Sequence, residues 1–132
     1  LVCCRDITAD AIYDAIANEG VTHFGGAPIV LNMIVNAPET ERRVFDHAVE
    51  VFTAGAPPAP ATLGKIEALG FNITQVYGLT ETYGHVTECV WRSEDWDGLD
   101  QADKAAIKAR QGVAMPMMEH ITVMESSCAA IL

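Results

Sequence analysis

The sequence predicts an α/β fold, three-layer-like, with a mainly parallel sheet built from successive β-loop-α units. Two observations carry this. First, a short β-type run, a loop rich in Gly or Pro and an apolar helical stretch recur in that order along the chain. The unit reads "VTHF", "GGAP", "PIVLNMIVN"; then "VEVFTA", "GAPPAP", "ATLGKIEALG"; then "FNITQVY" followed by "GLTETYG". Strands that alternate with helices of about ten residues pair in parallel through right-handed crossovers. Second, the chain has 132 residues, 50% of them apolar and 20% charged, the composition of a globular domain with one core. Residues 1–132 are therefore read as a single domain.

Each element has a local reason. "TADAIYDAIANEG" sets Ala9, Ile12, Tyr13 and Ile16 at helical spacing, with Thr8 as N-cap and Gly20 as the stop. "VTHF" is a strand and Gly25–Pro28 a loop. Pro28 opens a helix to about Asn36, because proline suits a first turn whose N–H has no partner anyway. After the polar "APETERRVFDHA" the second unit runs to Gly70, and the third strand ends at Tyr77, before a loop over Gly78–Thr82. "VTECVW" (86–91) predicts a further strand. A helix is expected over about 101–110 with Asp100 as cap, "GVAMPMM" as a loop, and "HITVME" as a last strand before the apolar tail "SSCAAIL". Cys3 and Cys4 read as small strand residues, Trp91 and Trp96 as packing residues.

Several function classes are disfavoured. A net charge of −10 opposes a nucleic-acid backbone or an anionic membrane as partner. No apolar run approaches the ~20 residues a membrane span needs. "LVCCRD" lacks the form of a secretory signal. The four cysteines form no CxxC pair, and the four histidines are scattered, so zinc is not expected; free thiols suit a reducing cytoplasm.

Parallel strands place every strand-to-helix loop at one edge of the sheet. Gly25–Pro28, Gly55–Pro58 and Gly78–Thr82 should therefore gather on one rim, where open α/β sheets bind ligands. Gly55, Ala56 and Pro57 offer almost no side chain, so a flat group could lie against rigid backbone. Tyr77 supplies a ring for stacking or for the core. Gly78 admits close approach, and Leu79 leads into Thr80 and Glu81. A hydroxyl can donate to phosphate and a carboxylate suits Mg²⁺; alternatively the pair caps a helix. Stacker, bare backbone, hydroxyl and carboxylate together describe a nucleotide site. His23 reads either as a satisfied core histidine or as a contact for a carboxylate, and His85 either as a titrating group at that site or as a surface residue.

"VFTAGAPP" followed by "GFNITQVYGLTETYG" resembles the AMP-forming acyl-CoA synthetases of the adenylate-forming superfamily. The likeness extends to "IYDAIANEGVTHFGGAPIVLNMIVNAPE" and "KARQGVAMP", and so covers nearly the whole chain to about residue 125. It suggests the subgroup acting on short- and medium-chain or aryl-substituted acids. The resemblance implies that Gly55, Ala56 and Pro57 line the adenine and acyl carboxylate, and that Tyr77, Gly78 and Leu79 flank the adenine. It implies that Thr80 bonds the α-phosphate, that Glu81 helps bind Mg²⁺, and that His23, Phe24, Gly25, Gly26 and Ala27 form part of the acyl pocket. The implied reaction joins a carboxylic acid to ATP as an acyl-adenylate, then to coenzyme A as a thioester.

Departures from the family pattern also bear on the expectation. The chain has no Ser/Thr/Gly-rich phosphate loop ending in Pro-Lys, no Thr-Gly-Asp for the ribose, and no small lysine-bearing C-terminal domain. Position 85 is His where the subgroup usually has Pro, and "MESSCAAIL" leaves the pattern. The chain thus reads as an internal slice of the large N-terminal domain of a longer ligase, inactive alone. The alternative is a non-catalytic module derived from such an enzyme, one that binds adenine nucleotides or self-associates through surfaces bared by truncation.

Overall fold

A computed structural model describes residues 1–118 and 121–124. Its elements are helix α1 (Ala9–Glu19), strand β1 (His23–Gly26), α2 (Pro28–Val35), β2 (Val49–Thr53), α3 (Pro60–Glu67) and β3 (Phe71–Leu79). A 3₁₀ turn (Thr80–Thr82) leads into β4 (Gly84–Glu88), followed by α4 (Ser93–Trp96), α5 (Gln101–Lys108) and β5 (Val113–Ala114). The strands lie side by side in chain order. The first three are mutually parallel, as the recurring unit predicts; β4 and β5 are antiparallel additions.

The helix ends follow local chemistry. The Thr8 hydroxyl accepts the Ala11 N–H at 3.3 Å, and Gly20 closes α1 in the left-handed region. Asp100 caps α5 through the Asp103 N–H at 2.9 Å. Beyond α2, Arg42 donates to the carbonyl oxygens of Val35 (3.1 Å) and Ala37 (3.0 Å), taking up acceptors that a helix end leaves free. Its neighbour Arg43 pairs with Asp10 and Asp14 on α1 at 2.7 and 2.8 Å. The polar stretch after α2 is thereby bound to two helices.

Neighbouring strands added in one direction through right-handed crossovers put α2 and α3 on the same face. There, with α1 and α5, they bury Tyr13, Ile16, Leu31, Ile34, Leu63 and Ile66 against Val49, Val51, Phe71 and Ile73. Each such side chain contributes about 2 kcal/mol by leaving water. Phe71 packs at centroid distances of 5.4–6.3 Å against Tyr13, Phe24 and Phe45. Glu50, Phe52, Asn72 and Thr74 alternate to the other face, where Phe52 is 42% exposed. Among the described residues, no helix of this core cluster covers that face.

Some expectations need correction. Gly25 and Gly26 belong to β1, because they continue the ladder opposite Phe52 and Thr53. Gly78 and Leu79 belong to β3, paired with His85 and Gly84. Cys3 and Cys4 are exposed and lie in no strand, since no neighbour pairs with them. "GVAMPMM" contributes the short β5, which pairs with β4. Of "HITVME", residues 121–123 form no strand and Met124 makes an isolated bridge; its remaining residues and the tail lie outside the described residues. Trp91 and Trp96 pack on each other, 5.3 Å apart.

Burial raises the pKa of two groups. The buried Tyr13 hydroxyl has no hydrogen-bond partner, and desolvation lifts its pKa from 10.0 while Arg42 opposes the shift. Desolvation likewise lifts the Cys89 thiol from 9.0, against Arg110 and Lys108; its Sγ donates to the Ile107 carbonyl at 3.2 Å. A folded pKa above the unfolded one gives stability that is complete below the unfolded value and lost as pH rises toward the folded value. The melting temperature is therefore expected to hold to about pH 9 and fall beyond it, and Cys89→Ala to remove the first part of that decline.

Candidate functional site

The site begins with register. Gly26, Thr53 and Gln75 stand in one row across β1, β2 and β3. The chain leaves β1 and β2 at this level, so the loops after them open on one rim, and β3 runs on past it through Leu79. Ala56 and Thr80 therefore lie toward the same end of the sheet. The last core-facing row is polar: Thr53 is fully buried and Gln75 is 1% exposed. Thr53 Oγ1 and Gln75 Oε1 have no protein partner. Sequence reading missed both residues. The available signal was a Thr and a Gln at the alternation positions where β2 and β3 otherwise present Val, Ile and Phe.

The loop after β2 is open to solvent at Gly55, Ala56 and Pro57, while Pro58 is buried and anchors it. Gly55 has φ 94°, a conformation that L side chains rarely adopt, which explains glycine at the turn. The end of β3 is a tight hairpin rather than a crossover, and a bulge between Tyr77 and Gly78 shifts the register there. An ideal Cβ on Gly78 would overlap the Gly84 carbonyl oxygen and His85 Cα. Glycine is required because another backbone passes against it.

An open cavity of about 500 Å³ lies at this end of the sheet. Ala54 supplies one side, Gly78, Leu79 and Thr80 another, and Tyr83, Gly84 and His85 the third. Leu79 and Thr80 are exposed, and neither the Thr80 hydroxyl nor the Glu81 carboxylate is held by another side chain among the described residues. The lining contains no Lys or Arg. Tyr77 stands beside the cavity on β3 rather than in its wall and is 42% exposed, so it is not a core residue. Glu81 is exposed and also outside the wall.

The proposed acyl residues go elsewhere. His23, Phe24 and Gly25 line a second cavity of about 490 Å³, between the edge strand β1, α1 and the N-terminal segment. Gly26 and Ala27 line neither cavity, although Gly26 stands beside Thr53 at the rim. His23 is exposed and bonded to the Thr22 hydroxyl at 2.9 Å, which removes the core-histidine reading. His85 does line the cavity that contains Thr80. Among the described residues no group of three His, Cys, Asp or Glu could enclose a metal ion.

Comparison with known proteins fits this geometry. The family model for AMP-binding enzymes matches residues 1–126. An acetate–CoA ligase of Humulus lupulus is 46% identical over 126 residues, 95% of this chain and 22% of the relative. A peroxisomal acetate/butyrate–CoA ligase of Arabidopsis thaliana is 44% identical over the same shares of both chains. The present chain thus spans about a fifth of the length of these relatives. The inhibitor-bound N-terminal domain of FACL13 from Mycobacterium tuberculosis shares the fold, with a TM-score of 0.68 at 24% identity. That match covers 93% of this chain and 28% of the solved one. The parallel strands, the rim and the matched residues together place the chain in the family of AMP-binding enzymes.

Proposed function

We propose that this chain carries half of the adenylate site of a carboxylate–CoA ligase acting on a short- or medium-chain or aryl-substituted acid. The observation that carries the reading is the convergence of the Gly55–Pro57 loop and the Gly78–Thr80 strand end on one rim. Membership of an AMP-binding family and likeness to ligases named for acetate and butyrate support it. In this reading the adenine lies against Gly55, Ala56 and Pro57 and is flanked by Tyr77, Gly78 and Leu79. The Thr80 hydroxyl donates to an α-phosphate oxygen.

The carboxylate oxygen of the acid attacks the α-phosphorus as the bond to pyrophosphate breaks, and the pyrophosphate leaves with the electron pair. The thiol sulfur of coenzyme A then forms the thioester bond at the acyl carbon as its proton passes to water, and AMP departs with the electrons of the acyl C–O bond. Thr80 serves by orienting the phosphate and by stabilising charge on its oxygen. The single exposed carboxylate of Glu81 suits a Mg²⁺ ion that takes its other ligands from phosphate and water, not one caged by protein. Such an ion would neutralise phosphate charge. Gly26, beside Thr53 at the rim, and Ala27 after it would begin a wall for the acyl group. His23, Phe24 and Gly25, which line the separate cavity beside α1, would extend it to that flank, with the other walls from outside this chain.

Titration of AMP against the chain and Tyr77→Ala tests this reading. Loss of the stacking ring should weaken binding about fivefold to a hundredfold, the worth of one base–aromatic stack. Equal affinity would remove Tyr77 from the site. The chain alone is expected to give no pyrophosphate–ATP exchange with any acid, because its cavity wall carries no cation for the triphosphate. A second reading, self-association, is favoured by the exposure of Phe52, Tyr77 and Leu79. Light scattering at rising concentration would show a dimer on that reading and a monomer otherwise.

A further inference from the structure

We propose that Thr82 is a positioning residue whose hydroxyl holds the Thr80–Glu81 turn in the shape that presents both side chains to a nucleotide. The inference rests on the nucleotide reading above. The Leu79 N–H donates to Thr82 Oγ1 at 2.8 Å. The single hydroxyl proton of Thr82 is directed to the carbonyl oxygen of Leu79 at 3.0 Å or of Gly84 at 2.9 Å. One side-chain atom therefore spans the last pair of the β3–β4 ladder, Leu79 and Gly84.

The turn needs such a clamp. Its own backbone bond runs from the Tyr83 N–H to the Thr80 carbonyl at 3.2 Å. Tyr83 is held at φ 67°, the left-handed region that a non-glycine residue adopts at a cost, and its ring is fully exposed, so no packing offsets that cost. Of the three side chains in the 3₁₀ turn, Thr82 is committed to the backbone. Thr80 and Glu81 make no such bond among the described residues and stay free for a ligand.

Hydrogen exchange and AMP titration in the presence of Mg²⁺, on the chain and on Thr82→Val and Thr82→Ser, test this. Valine keeps the shape and removes both bonds; serine keeps the hydroxyl. The expected result is faster exchange of the Leu79 amide and about fivefold weaker AMP binding in Thr82→Val, with unchanged global melting and with both properties restored in Thr82→Ser. Wild-type-like affinity in Thr82→Val, with the Leu79 amide exposed, overturns the positioning role and leaves the nucleotide reading standing. Absence of AMP binding in the wild type overturns both, while exchange still reports whether the clamp exists. Global unfolding of Thr82→Val overturns the proposal in favour of a purely structural residue.

Discussion

Replacing Gly78 by alanine is expected to destabilise the chain by about 2–3 kcal/mol and lower its melting temperature by about 10 °C. The methyl group would overlap the Gly84 carbonyl oxygen and His85 Cα. Both are backbone atoms of a paired strand, so no rotamer change can relieve the contact. The hairpin must open or its bulge must move. Either response shifts Leu79, Thr80 and Thr82 together, so AMP binding should fall more than stability alone accounts for. Gly64→Ala is the control. An added Cβ there meets nothing within 4 Å, and the position lies inside α3, where alanine is favoured over glycine by up to about 1 kcal/mol. Urea denaturation of both variants separates the cases. A Gly78→Ala chain as stable as the wild type would mean that the two backbones do not approach as described.

What was legible in the sequence was what neighbouring residues decide. The caps at Thr8 and Asp100 and the stop at Gly20 fell where expected, because a cap depends on the next few residues alone. The parallel order of β1, β2 and β3 followed from the recurring unit. Strand ends at glycine were misjudged. Gly25, Gly26, Gly78 and Leu79 read as loop locally, yet β2, distant in sequence, recruits the first two into a ladder, and the returning arm of a hairpin at Gly84 and His85 recruits the others. The same limit applies to the site. Gly78, Leu79 and Thr80 were visible as a contiguous motif and do share a cavity; His85, read either as a group at that site or as a surface residue, lines it too, but Ala54 joins them only through folding. The proposed acyl residues were grouped by adjacency. The structure divides them, because β1 is an edge strand whose flank opens toward α1 rather than toward β3. Thr82 was passed over because Thr80 looked like the capping residue. In fact the chain turns through a 3₁₀ turn with Leu79 before it, and the hydroxyl two positions later makes the closing bonds.

Lys108→Ala is expected to cost about 3 kcal/mol, the largest loss expected from any single charge among the described residues. Lys108 reaches from the end of α5 to pair with Glu67 at the end of α3, with side chains only 12% and 16% exposed. It also donates to Asn72 Oδ1 at 3.1 Å and lies 4.9 Å from the centre of the Trp91 ring. Asn72 in turn donates to Glu50 at 2.7 Å, so one ammonium group anchors α3, α5 and β3 around a chain of polar contacts. Without it Glu67 remains largely desolvated with no cation, in a protein that already carries a net charge of −10. Removing both charges should be milder: Lys108→Met with Glu67→Leu is expected to recover most of the loss, since apolar packing can replace an ion pair that neither half can survive alone. Arg43 gives the contrast. Its bonds to Asp10 and Asp14 contribute less, because the three side chains are 34–50% exposed and water screens them; Arg43→Ala should cost about 0.5 kcal/mol and lose that difference in high salt. Chemical denaturation of the single and double variants measures both. A Lys108→Ala chain within about 0.5 kcal/mol of wild type would place its ammonium in water, outside the α3–α5 contact.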